Sequence, residues 1–326
     1  MARYLVSGAA GFIGARITAR LLESGHEVVG VDSLNDAYDV CLKQYRLEEL
    51  EKQKNFAFHK LDIADRDSMQ SLGAGLKPLD GIINMAARAG VRMSVQDPWL
   101  YYDTNLTGTL NLLELCREQP TPKFILASTS SIYGEEAPQP TPEGADSSKP
   151  LQPYAASKKA AEVLCHTYHH LHAVDVTIFR FFTVYGPAGR PDMSIFRFIQ
   201  WIFEGRDVTV FGDGEQSRGF TFVDDIARGV IQGLCPTGYE IFNLGGHEVV
   251  TINSLISRIE TLAGKPAQRI TLPRHPADML SSWADVTKAR NVLGWVPHIG
   301  FDEGLAKTVA WYEQERGWAA RVDTQV

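Results

Sequence analysis

The sequence predicts an α/β protein: a doubly wound parallel sheet carrying a smaller mixed α/β lobe. Three observations predict it. Short apolar runs alternate with helical patterns as far as a sixth strand near residue 179. A glycine-rich turn joins the first of those strands to the first helix. Beyond about residue 187 the alternation breaks into short strands and unevenly spaced helices.

Residues 3–7 read as a buried strand and lead into Gly8-Ala-Ala-Gly11-Phe12-Ile13-Gly14, then a helix to about Ser24. Glycines in such a turn permit a tight bend, close backbone approach to a pyrophosphate and tight helix–strand packing. The helix start adds unpaired N–H groups and a positive dipole end. The second strand, Glu27–Val31, ends in Asp32. An acid there accepts hydrogen bonds from ribose hydroxyls and repels a 2′-phosphate, so the expected dinucleotide is NAD rather than NADP. The frame is Rossmann-like.

Residues 34–54 form a polar insertion with a loop and a short helix. Phe56–Lys60 is the third strand. Asp62 beyond it either meets the adenine amino group or caps the helix over Asp65–Leu72. Asp80–Ala86 is the fourth strand, and the small residues after it let backbone pass close to a ribose. A helix from Trp99 to Arg117 carries Asn105, whose mid-helix position asks for a polar partner facing inward. Trp99, Tyr101 and Tyr102 are expected to pack between helices. Lys123–Ala127 is the fifth strand, with Ser128-Thr129-Ser130-Ser131 at its carboxyl end, where parallel sheets bind ligands.

Tyr154-Ala-Ala-Ser-Lys158 opens a helix running to about Leu171. A tyrosine and a lysine four residues apart share one helix face. The ammonium is expected to favour the phenolate and tune it for proton transfer. Val174–Phe179 is the sixth strand. Helices follow near 194–204, 224–235, 252–263 and 301–316, with strands at Val208–Phe211, Glu240–Asn243 and Arg269–Leu272. The expected organisation is a cofactor domain over 1–187, rejoined by segments near 223–250, and a substrate lobe over most of 188–326.

Composition narrows the function classes. The 326 residues are 44% hydrophobic and 22% charged, with a net charge of −7. That balance offers no basic field for nucleic acid. The four cysteines, Cys41, Cys116, Cys165 and Cys235, lack metal-ligand or CxxC spacing and suit reduced thiols in the cytoplasm. No segment approaches the ~20 apolar residues of a membrane span. The histidines crowded at 166–172 read as a solvated face, and Trp311, Tyr312 and Trp318 as packing residues.

Gly8–Gly14, Ser128–Gly134 and Tyr154–Lys158, in that order, resemble the extended short-chain dehydrogenase/reductases, and within them the nucleotide-sugar epimerases. Phe211-Gly-Asp-Gly214, Arg218-Gly-Phe-Thr-Phe-Val223 and Arg274-His-Pro-Ala-Asp278 carry the resemblance into the second lobe. Ala86-Ala87-Arg-Ala89-Gly90-Val91-Arg92, Gly189-Arg190-Pro-Asp192-Met193 and Asn35-Asp-Ala-Tyr38-Asp39 are similar to the UDP-glucuronate 4-epimerases among them.

The resemblance implies NAD-dependent isomerase chemistry at C4 of a UDP-sugar, with Tyr154, Lys158 and Thr129 catalytic. It implies a cofactor site of Gly8, Gly11, Phe12, Ile13, Gly14, Asp32, Asn35, Lys43, Asp62 and Ile63. Met85, Ala86, Ala87, Ala89, Asn105, Ser128 and Phe181 join Tyr154 and Lys158 to complete it. For the UDP-sugar it implies Val91, Arg92, Thr129, Ser130, Ser131 and Thr183, then Arg190, Met193, Phe198, Thr209, Phe211 and Arg218, and finally Arg274 and Asp278. A neutral UDP-hexose such as UDP-glucose is the alternative substrate. Decarboxylation is disfavoured because Ser131 stands where decarboxylases carry Glu. Arg190 either senses the sugar's acid group or forms a loop salt bridge. The helices at 99–117 and 154–172 are the pair through which members dimerise, so a homodimer is expected. Asn84, Arg88 and Ala277 depart from the usual pattern.

Overall fold

The computed structural model describes residues 1–119, 121–246, 248–273 and 280–324. Arg274, Ala277 and Asp278 lie outside the described residues. The first half runs β1 (Arg3–Ser7), α1 (Phe12–Glu23), β2 (Glu27–Asp32), α2 (Cys41–Glu51), β3 (Phe56–Lys60), α3 (Arg66–Gly75) and β4 (Gly81–Asn84). It continues with α4 (Val91–Gln96), α5 (Pro98–Tyr102), α6 (Gly108–Glu118), β5 (Lys123–Thr129), α7 (Pro153–His172), β6 (Asp175–Phe181) and β7 (Thr183–Tyr185). The second half adds α8 (Ser194–Phe203), β8 (Asp207–Phe211), β9 (Ser217–Phe222), α9 (Val223–Gln232), β10 (Tyr239–Leu244), β11 (Glu248–Thr251) and α10 (Ile252–Ala263). It closes with β12 (Gln268–Leu272), β13 (Ser281–Ser282), α11 (Thr287–Leu293) and α12 (Phe301–Ala319).

Seven strands form one parallel sheet in the order β3-β2-β1-β4-β5-β6-β10. The order reverses between β1 and β4, and a crevice opens at the strand ends there. The strands at the centre read as unbroken apolar runs because helices cover both faces: β5 is buried throughout and β4 likewise. One core, with Val6, Ile125 and Phe179, lies under α1 and α9. Another, with Leu5, Leu126 and Ile178, lies under α3, α6 and α7. A third core gathers Phe198, Ile202, Val208, Phe220, Ile256 and Tyr312 from the later elements.

Most expected elements form. The helix over 99–117 does so with a break: α5 and α6 are joined by a wider π-type turn at Asp103–Thr107. Asn105 sits in that turn, and its side chain bonds the backbone N and O of Arg88 and the Ser157 hydroxyl at 2.9–3.0 Å. A side chain that serves backbone on another segment competes with the regular helical register. The cap of α3 is Asp65, which accepts from Asp67 N and Ser68 N; Asp62 instead accepts from Ala64 N. Residues 91–96, 217–222, 248–251 and 287–293 form regular elements that the sequence pattern does not assign, each too short for a clear period. Tyr101 is buried edge-on against Tyr154, whereas Trp99 is 76% exposed on this chain.

Candidate active site

The glycine turn lies under the switch point. Gly8 has φ +69°, and a Cβ there would meet Ala86 N at 2.7 Å. A Cβ on Gly14 would meet Gly8 O at 2.1 Å. The backbones therefore touch where side chains would hold them apart, and the space above stays open. Gly11 caps α1 without a side chain, so the start of the helix faces that space. Asp32 closes the turn by accepting from Ala10 N at 3.2 Å and Leu34 N at 2.8 Å, with Lys43 Nζ 3.8 Å away. Lys43 also donates to Asn35 Oδ1 at 2.9 Å. Open glycine floor, helix start and acid at the second strand end make a donor set and shape that fit a dinucleotide.

A cleft of about 380 Å³ runs from this floor across the ends of β4 and β5. Every cofactor residue expected from the sequence lines it except Asn105. Asn105 is wholly buried behind the 86–90 segment and shapes the wall through Arg88. Ser128 lines the cleft, yet its hydroxyl turns away and donates to Glu162 at 2.6 Å.

Beyond the floor the lining continues with Thr129, Ser130, Ser131, Tyr154 and Lys158, and with Thr183, Arg190, Asp192, Val91 and Met193. Burial pushes the Tyr154 phenol above its usual value, while hydrogen bonding with Thr129 and the charge of Arg190 act the other way. Lys158 Nζ donates to Ala127 O at 3.0 Å, and burial brings its pKa down to about 8. The shared helix face is as the spacing predicts, and the ammonium bonds the end of β5. Arg190 pairs with Asp192 through two hydrogen bonds of 3.0 and 2.6 Å and lies over the Tyr38 ring. Burial opposes its charge, but Asp192 holds it above the ordinary guanidinium value. The expected loop salt bridge exists, and it forms part of the cleft wall.

Arg92, Phe198, Thr209, Phe211 and Arg218 lie outside this cleft's lining. Arg92 stacks on the Phe211 ring at 4.7 Å. Phe198 is packed in the third core. Arg218 donates to Ser217 O at 2.7 Å on β9, and Thr209 sits mid-strand on β8. Of the departures, Asn84 is buried between Ser7 and Thr109, and the Arg88 guanidinium is 3.8 Å from Asp36.

Sequence reasoning missed the support beneath the site. Glu162, two turns beyond Tyr154, receives Arg180 Nε at 2.9 Å and Nη2 at 2.7 Å. Arg180 also reaches Tyr133 OH, which donates to Asn243 on β10. The spacing of 154, 158 and 162 on one helix face was the available signal. Arg46 was missed too: it bonds backbone as distant as Ala188, and no local pattern marks such a contact. A phenol and a hydroxyl bonded to each other in a dinucleotide-shaped cleft can exchange a proton with an alcohol held there.

Comparisons agree with this geometry. Residues 4–245 match the NAD dependent epimerase/dehydratase family. A UDP-glucuronate 4-epimerase of Thermodesulfobacterium geofontis is 52% identical, over 96% of this chain and 97% of that one. The structure of UDP-glucuronic acid 4-epimerase from Bacillus cereus, in complex with UDP-glucuronic acid and NAD, superposes with a TM-score of 0.87 at 37% identity. It covers 96% of this chain and 99% of that one. A UDP-glucose 4-epimerase from Thermotoga maritima, with UDP-glucose, gives 0.88 at 30% identity, covering 96% and 99%. By sequence and by structure, then, this chain belongs to the NAD dependent epimerase/dehydratase family.

Proposed function

We propose that this chain is a UDP-glucuronate 4-epimerase that interconverts UDP-glucuronate and UDP-galacturonate with retained NAD. The observation that carries the reading is the convergence of Tyr154, Thr129 and Arg190 at one end of a glycine-floored cleft. The Thermodesulfobacterium and Bacillus relatives favour the acidic sugar over a neutral one. Bound NAD supplies the reversible two-electron acceptor for C4 of the sugar.

Tyr154 takes and returns the proton of the 4-hydroxyl, and Thr129 holds the same oxygen. Hydrogen bonding with Thr129 and the charge of Arg190 draw the buried phenol back toward working pH. Lys158 fixes the end of β5 through Ala127 O and lines the cleft one turn along the helix from Tyr154. Ser130, Ser131 and Thr183 grip the sugar carboxylate and keep its bond to C5 out of alignment for cleavage. A 4-keto glucuronate is a β-keto acid, so this grip decides whether CO2 is kept. Arg190 adds positive charge to the same wall. Phe198, Thr209, Phe211, Arg218, Arg274 and Asp278 hold the UDP moiety from the later lobe, together with Arg92 of the cofactor unit.

The same reading divides the chain into a cofactor unit over 1–187, completed by segments near 223–250, and a UDP-sugar lobe over most of 188–326. It also places the chain in the cytoplasm as a homodimer. Among the described residues no helix is long and apolar enough to cross a membrane. Trp99, Val163 and Leu171 lie exposed on α5 and α7, an apolar face suited to a second copy. The test is direct. Purified protein given UDP-glucuronate, with no NAD added, should form UDP-galacturonate. Turnover of UDP-glucose alone would refute the substrate.

A further inference from the structure

Arg46, on α2, belongs to the insertion between β2 and β3 and touches none of the groups assigned above to the sugar. It is 5% exposed. Its guanidinium reaches two segments that sequence keeps far apart. Nη1 donates to Ala10 O at 3.1 Å, inside the glycine turn, and to Tyr38 OH at 2.8 Å. Nε and Nη2 donate to Ala188 O at 3.0 and 2.6 Å, and Nη2 reaches Gly189 O at 3.3 Å. Ala188 has φ +50°, a left-handed conformation costly for a residue with a Cβ. The backbone there is thus held by its surroundings, and the next side chain after Gly189 is Arg190 in the cleft wall. Phe12 and Tyr38 present their ring faces to the same guanidinium at 5.9 and 5.6 Å.

We infer that Arg46 is a positioning residue that locks the glycine turn and the 188–190 wall into one body, so that cofactor retention and the fate of the sugar's carboxylate depend on a single side chain. Among the described residues its hydrogen bonds all go to neutral oxygens. A buried cation without a described carboxylate partner is costly, and a dinucleotide diphosphate bound over the glycine turn would be an anion that offsets it. The planar fork explains why arginine is needed: only a guanidinium donates to Ala10 O and Ala188 O at once. If the wall loosens, the 4-keto acid loses CO2 more often. The C5–carboxylate bond breaks, its electron pair stays on C5, and a proton from water takes the place of the carboxylate.

The inference rests on the proposed epimerase reading, so one readout avoids substrate altogether. Arg46→Met and Arg46→Lys, purified with their bound dinucleotide, are compared with the unaltered chain for the rate at which NAD leaves into excess buffer. They are then compared for CO2 released per UDP-galacturonate formed from carboxyl-labelled UDP-glucuronate. Loss of charge-assisted bonds of this kind should speed NAD release about tenfold or more in both variants. The CO2 fraction should rise several-fold alongside it. Arg46→Lys behaving like the unaltered chain would show that charge suffices and would overturn the clamp. Unchanged NAD release in Arg46→Met would overturn it as well. Where Arg46→Met does not fold, Tyr38→Phe removes one partner and should move both readouts the same way by less. Should the unaltered chain make no UDP-galacturonate, the substrate reading fails while the NAD measurement still judges the clamp.

Discussion

The two walls of the cleft are built differently. The wall formed by β5 and α7 is set inside the parallel sheet. Glu162 and Arg180 pair beneath it, Ser128 and Tyr133 complete the network, and Lys158 is tied to Ala127 O. The other wall, over 183–193, runs from the short strand β7 into a loop pinned by Arg46 and by the Arg190–Asp192 pair. A wall within the sheet inherits its rigidity from ladders and core packing. A loop wall has to be fastened by individual side chains, so its geometry can be tuned without unfolding the protein. The first suits proton transfer, where small displacements are costly. The second suits substrate selection.

Mutations should separate the two walls. The largest effect belongs to Tyr154→Phe, expected to cut turnover by about 10²–10⁴-fold while leaving stability and NAD content in place. Turnover preserved in that variant would remove the phenol from the chemistry. Next is Glu162→Gln, which strips the partner from a buried guanidinium. It should cost about 3–5 kcal/mol in urea unfolding, far more than any single change in the loop wall.

The third concerns pH. Burial lowers the folded pKa of Lys158 from 10.5 to about 8. Unfolding then takes up a proton between those values, so stability should rise with pH across that window and the penalty be present in full below it. In chain freed of dinucleotide, Lys158→Met should erase a pH-dependent gain of up to about 3 kcal/mol. Matching slopes in the two proteins would mean that the ammonium is solvated. The smallest effect is on the second wall, at Thr183 where β7 begins. Thr183→Val should leave stability nearly unchanged and raise the UDP-pentose by-product a few-fold over UDP-galacturonate. Product chromatography would read it, and an unchanged ratio would free Thr183 and its wall from any part in holding the acid.

Much of the first wall was legible in the sequence. Glycines at 8, 11 and 14 with Asp32 behind them state a local requirement, because a turn and a strand end are made by neighbours in the chain. Tyr154 and Lys158 could be placed on one face by period alone. What Lys158 does with its ammonium could not, since its acceptor lies 31 residues away at the end of β5. Asn105 announced a need for partners without naming Arg88 and Ser157, and bending its helix into a wider turn was the form the answer took.

By itself the sequence determined the alternating strands and helices, the glycine floor and the candidate proton-transfer pair. These depend on backbone conformation and side-chain period, which neighbouring residues set. Tertiary structure alone decided that the Arg190 charge bears on the phenol, that Lys158 bonds Ala127 O, and that Arg46 joins the glycine turn to the far wall. Those outcomes depend on which carbonyls and charges meet once distant segments pack, and a backbone carbonyl leaves no mark in the amino-acid alphabet.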